Sequence, residues 1–126
     1  MKARETALKL KRFEMDERAR KVADLEQMIR EFETIASDLD RQIQAEEDRT
    51  GVKDAKHFAY STFAKSASQR RDNLRASIAG LRLKLDAAQQ DFDEAQQQLS
   101  RAATEQPREI SRTRRRHERP AGLALR

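Results

Sequence analysis

The residue types able to do chemistry are few and scattered. His57 and His117 are the only histidines, and neither has a second ligand at metal-binding spacing, so no metal and no other cofactor is expected. The chain has no glycine-rich phosphate loop and no nucleophile motif. Its carboxylates are spread along helical faces as solvated charge, with no concavity to make them converge. These features argue against an enzyme. The remaining candidate is electrostatic: Arg112-Thr113-Arg114-Arg115-Arg116-His117-Glu118-Arg119 would attract a phosphate backbone without reading its sequence. The same run could meet acidic lipid headgroups or an acidic protein surface. The whole net charge of +5 is located there, since residues 107–126 carry 7 Arg against 2 Glu and the rest of the chain is neutral. Without interleaved aromatics or a basic body, nucleic acid is the weaker reading.

The elements that would have to position such groups are helical. With 126 residues, 37% hydrophobic, 39% charged and 5% aromatic, the chain is too polar to wrap a sizeable globular core and suits an elongated helical protein. It has no cysteine, hence no disulfide framework, which fits a reducing compartment. Met1-Lys2-Ala3-Arg4-Glu5 leads into a charged helix, so neither a signal peptide nor a membrane span is expected.

A seven-residue repeat runs through two long stretches. Leu8, Met15, Val22, Ile29, Ala36 and Ile43 recur in the first, with Leu25, Phe32 and Leu39 filling the second core position. In the second stretch, Ile78, Leu85, Phe92 and Leu99 form one register, and Ala67, Leu74, Leu81, Ala88, Ala95 and Ala102 the other. Paired antiparallel, Met15 meets Ala95, Val22 meets Ala88, Ile29 meets Leu81, Ala36 meets Leu74 and Ile43 meets Ala67, each pair of numbers adding to 110. Large residues then tend to face small ones, which fills a thin seam without voids. The expected architecture is an all-α, antiparallel two-helix coiled-coil hairpin over residues 1–106, with helices over about 3–50 and 62–106 and a turn over about 51–61. Pro107 should end the second helix, leaving residues 107–126 as a disordered, arginine-rich tail.

Several residues fall out of phase with this seam. Leu10 and Phe13, and Leu83 in the second stretch, point away from it; they are either ordinary exposed apolar residues or, for Leu10 and Phe13, a partner contact. Lys11, Arg18 and Arg71 occupy seam positions and are expected to lay their stems on the seam with their charges in water. In the turn, Gly51 is expected to cap the first helix in the left-handed conformation. Asp54 and Ser61 are both possible N-caps, so a short extra helical turn is expected before the second helix. His57, Phe58, Tyr60 and Phe63 either seal the end of the hairpin or form an exposed recognition patch.

The opening Leu8-Lys9-Leu10-Lys11-Arg12-Phe13, together with His57-Phe58-Ala59-Tyr60-Ser61-Thr62-Phe63-Ala64-Lys65 leading into Gln69-Arg70-Arg71-Asp72-Asn73-Leu74, resembles the flagellar export protein FliJ family, particularly its alphaproteobacterial forms. The resemblance covers residues 1 to about 105. It implies a nonenzymatic, cytoplasmic component of the flagellar type III export apparatus, peripherally associated with the inner membrane at the flagellar base. In that family a stalk-like coiled coil couples the ring of the export ATPase to the membrane export gate protein and assists export chaperones. Carried over to this chain, the gate-contacting stretch includes Phe63, through the Tyr60-x-x-Phe63 match, with Ala67 and Arg70 on the same stretch and Phe58 and Tyr60 beside it. Leu10 and Phe13 become candidates for the ATPase contact. The end of the second helix at Pro107 departs from the family, whose members commonly continue further. The alternative from another class is a coiled-coil module whose arginine-rich tail binds nucleic acid.

Overall fold

The computed structural model describes the backbone of residues 2–124 and the side chains of residues 2–105. It is an all-α hairpin of two helices, α1 (Lys2–Thr50) and α2 (Thr62–Ala124), joined by residues 51–61. Both helices are built largely from Ala, Leu, Glu, Lys, Arg and Gln, the residues that lose least freedom in a helix. Three of the threonines they contain are absorbed locally: Thr6, Thr34 and Thr104 each donate their hydroxyl to the carbonyl four residues back, at 2.7, 3.0 and 2.8 Å. Intrahelical pairs such as the half-buried Glu14 with Arg18 and the exposed Glu26 with Arg30, both at 3.9 Å, add at most a few tenths of a kcal/mol each.

The ends that face the turn are capped by their own sequence. Gly51 has φ +73°, and its N–H donates to the Glu47 carbonyl at 2.9 Å, the single bond of a left-handed C-cap. Ser61 is the N-cap of α2: its Oγ accepts from the Ala64 N–H at 3.2 Å. The extra helical turn expected between these caps does not form. Instead the His57 N–H donates to the Asp54 carbonyl and the Tyr60 N–H to the His57 carbonyl, both at 3.0 Å, giving two successive tight turns. Asp54 caps a turn and not a helix, because its Oδ1 accepts from the nearby Lys56 N–H at 2.9 Å.

The expected end of the second helix at residue 106 is also corrected, since α2 continues through Pro107 to Ala124. The bias of a pre-proline residue away from helix is a preference that a long helix can override, at a cost of about 3 kcal/mol for the lost bond and the ring clash. The residues that follow, Arg108-Glu109-Ile110, are compatible with helix. The disorder expected of residues 107–126 is corrected likewise as far as Ala124, where the backbone is helical; the side chains of this arginine-rich segment lie outside the described residues.

The chain divides into two compact units, residues 21–88 and residues 1–20 with 89–126. In the first, Val22, Leu25, Ile29, Ala36, Leu39 and Ile43 of α1 and Ala64, Ala67, Ile78, Leu81 and Ala88 of α2 are buried. Leu39, Ile43, Ala64 and Ala67 form one cluster, against which Tyr60 and Leu74 pack. Ile43 and Ala67 thus meet as the antiparallel register predicts. In the second unit Ala95 is buried, while Leu8, Met15, Phe92, Leu99 and Ala102 are half-buried. Every residue assigned to the seam from the heptad pattern is therefore at least half-buried.

Candidate partner-binding surfaces

The turn holds its aromatic residues in two different ways. Tyr60 folds back onto the Leu39, Ile43, Ala64 and Ala67 cluster; partial burial, and then the nearby Glu47 carboxylate, push its phenol above the ordinary tyrosine range. Phe58 does the opposite and is 96% exposed. It stacks on the His57 ring with centroids 4.6 Å apart, and His57 is itself held because its Nδ1 accepts from the Ala59 N–H at 3.0 Å. Sealing the hairpin end and presenting an exposed ring, offered above as alternatives, are thus divided between Tyr60 on one side and His57 with Phe58 on the other.

Beyond the turn, Phe63 is 55% exposed and Arg70 is exposed, so both are open to a partner. Ala67 is not: at 7% exposure it belongs to the seam beside Ile43, and its candidacy as a partner contact is corrected accordingly. Its methyl group is what lets α1 approach closely there. In the other unit Leu10 and Phe13 are each 57% exposed on the same face of α1, one turn apart. Leu83 of α2 is more exposed still. Sequence reasoning missed two further exposed apolar residues of α1, Met28 and Ile35. They lie seven residues apart, immediately before the seam positions Ile29 and Ala36, and extending the heptad count by one position would have found them.

The electrostatics of residues 21–88 are organised by cross-helix pairs. Arg71 sits at a seam position, and its Nη1 donates to Asp40 Oδ1 at 2.9 Å while Arg75 donates to the other oxygen of Asp40 at 3.2 Å. Arg82 donates to Glu33 at 2.6 Å. The stem of Arg71 lies on the seam as expected, but its charge rests on Asp40 and then Asp72, which raise its pKa. A shallow groove of about 300 Å³ between the Glu33–Arg82 and Asp40–Arg75 pairs is floored by Ala36 and Ile78; its cations already have carboxylate partners. Nearer the turn, the Ser61 hydroxyl donates to Glu46 Oε1 at 2.9 Å. Hydrogen bonds from Arg49 and then from Ser61 hold the Glu46 carboxyl below its ordinary range.

Among the described residues no cluster of three or more His, Asp or Glu side chains is gathered as metal ligands, and no helix is long and apolar enough to cross a membrane. The chain matches no protein-family model, no curated protein and no solved structure. What the side chains offer is a set of exposed apolar residues, namely Leu10 with Phe13, Phe58 and Phe63, carried on helices or a hydrogen-bonded turn. This chemistry suits protein–protein contact, where apolar and aromatic anchors held in place carry most of the binding energy.

Proposed function

We propose that this chain is a nonenzymatic, cytoplasmic component of the bacterial flagellar type III protein export apparatus. It couples the export ATPase to the membrane export gate protein and assists export chaperones, and it meets the membrane only peripherally at the flagellar base. The observation that carries the reading is the helical hairpin with Leu10 and Phe13 turned outward on α1 and Phe58 and Phe63 turned outward at and beside the turn. An outward apolar contact far from the turn in sequence, and another near it, are what a protein engaging two partners requires. The resemblance to the FliJ family through residues 57–65 and 69–74 supplies the identity of those partners: the export ATPase for Leu10 and Phe13, and the gate for Phe63 and Arg70.

A pull-down of the cognate export ATPase tests this reading, comparing the wild type with Leu10→Asp/Phe13→Asp. Both side chains lie off the seam, so the variant is expected to keep its helicity by circular dichroism while its capture of the ATPase falls at least about tenfold, the equivalent of 1.4 kcal/mol. Failure of the wild type to capture the ATPase removes the export reading. If the protein instead binds nucleic acid, and removal of residues 107–126 abolishes both that binding and its salt dependence, the arginine-rich segment carries the function.

A further inference from the structure

Within residues 21–88 the two helices turn unlike faces away from the seam. On α1 the outward heptad positions are Asp24, Gln27, Glu31, Thr34, Asp38 and Arg41, four of the six charged. The same heptad positions of α2 are Gln69, Asn73, Ala76, Gly80, Leu83 and Ala87, all exposed. None of them is charged, in a chain of which 39% is. They recur at alternating intervals of four and three residues, the spacing of a second seam along about 27 Å of helix. Leu83 is 73% exposed, and beside it a Cβ at Gly80 would meet nothing within 4 Å. A solvated face carries charge, as that of α1 does; an uncharged heptad row with an open leucine is the pattern of a helix that packs on another.

We propose that this face of α2 is a two-fold contact with a second copy of the chain, α2 against α2 and antiparallel. Self-complementarity selects the occupant. Inside the hairpin Asp40, which follows the core residue Leu39, reaches Arg75, which follows Leu74, at 3.2 Å, and Glu33, after Phe32, reaches Arg82, after Leu81, at 2.6 Å. That offset fixes which flanking positions meet in an antiparallel pair. Applied to α2 and its own copy, one register sets Gly80 opposite Ala76 on both sides of the axis, where the lack of side-chain bulk lets the backbones approach. Leu83 then lies opposite Asn73, and Ala87 opposite Gln69. The flanks of that register set Lys65 against Asp86, Asp72 against Ala79 and Ser77 against Lys84, with no like pair among residues 65–88. Lys65 and Asp86 make no ion pair with any described residue, so each can take the other copy's charge. The neighbouring arrangements are refused. A shift of one heptad one way sets Lys84 against Lys84 and Asp72 against Asp86; the other way, Asp72 meets Asp72 and Arg70 meets Lys84. A parallel pair sets Lys65 against Arg70. A face that admits itself in one register and repels itself in the adjacent ones is suited to an isologous contact. The inference stands on these positions and does not rest on the export reading.

Sedimentation equilibrium of the full chain over a range of concentrations tests this, with circular dichroism as the check on folding. The wild type is expected to show a reversible monomer–dimer equilibrium. Leu83→Asp, on the outward face, is expected to keep its helicity and to weaken the dimer at least about tenfold. Lys65→Glu alone and Asp86→Lys alone are each expected to weaken it about threefold, and the double variant Lys65→Glu/Asp86→Lys to restore it. The two positions are 21 residues, about 31 Å, apart on one helix, so this restoration can arise only between copies. A wild type that stays monomeric overturns the proposal. So does a dimer indifferent to Leu83→Asp, because the two chains then exchange helices or meet through another face, and so does a double variant no tighter than the single ones, because the register is then wrong.

Discussion

Residues 21–88 and the unit formed by residues 1–20 with 89–126 share one heptad phase but seal it to different degrees. Eleven buried apolar residues lie in the first and only Ala95 among the described residues of the second. The cause is visible in the second core position of α1. In residues 21–88 it is held by Leu25, Phe32 and Leu39, whereas in residues 1–20 it is held by Arg4, Lys11 and Arg18, all half-buried. Long cationic stems cover the seam but bring their charges to its edge, so Leu8 and Met15 stay half-exposed beside them. Heptad phase decides which way a side chain points; dryness requires both core positions to be apolar.

Paired truncations should break or confirm this contrast most strongly. Ile43→Ala removes a side chain that is 5% exposed and is expected to cost about 2–4 kcal/mol, while Met15→Ala in the other unit should cost about 1 kcal/mol. Urea unfolding of the two variants checks it, and equal costs would mean the units are sealed alike. The converse substitution, Lys11→Leu/Arg18→Leu, dries the open seam and should add roughly 1–2 kcal/mol, read as slower amide hydrogen exchange over residues 8–18. A methyl group added at Gly80, inside α2, would meet nothing within 4 Å. Gly80→Ala is accordingly expected to stabilise by about 1 kcal/mol, and Gly51→Ala, at φ +73°, to destabilise by a similar amount; thermal melts check both signs.

The smallest effect concerns pH. Arg49 and Ser61 lower the Glu46 pKa from 4.5, so the folded chain holds this carboxylate ionised more readily than the unfolded chain does. Its contribution is therefore present above about pH 4.5 and lost as the pH falls through the depressed folded value. Glu46→Gln should lower stability at neutral pH and converge with the wild type in strong acid, as followed by denaturant midpoints across that range. Parallel curves for the two proteins would remove Glu46 from the acid limb.

The fold was largely legible because the seam depends on one period and one phase, and these are written in residues such as Val22, Ile29 and Ala36. Gly51 was legible for a similar reason, as a glycine just past the last periodic residue. Asp54 misled because its side chain caps a tight turn and a helix by the same kind of hydrogen bond, and only the chain path beyond it distinguishes the two. Pro107 misleads because the pre-proline bias is a local preference, whereas the helix on both sides of it is not local. The candidate surfaces were half legible. Outward phase identifies Leu10 and Phe13, but Ala67 falls both on the seam and on the stretch of candidate contacts, and only its burial decides. The Asp40 partnership of Arg71 depends on cross-helix register at the level of single side chains, which one period cannot supply.

The Ser61 hydroxyl, bonded to Glu46 on one side and to the Ala64 amide on the other, has a kinetic consequence. Once the short connection closes, a step of about 10–100 ns for a loop of this size, that hydroxyl sets the first turn of α2 against the last turns of α1. The Leu39, Ile43, Ala64 and Ala67 cluster lies immediately beyond it. Pairing in residues 21–88 is then expected to proceed like a zipper from the turn, each contact lowering the chain entropy lost in making the next. Substitutions beside Ser61 would accordingly slow folding, and those at Val22 or Ala88 would mainly speed unfolding.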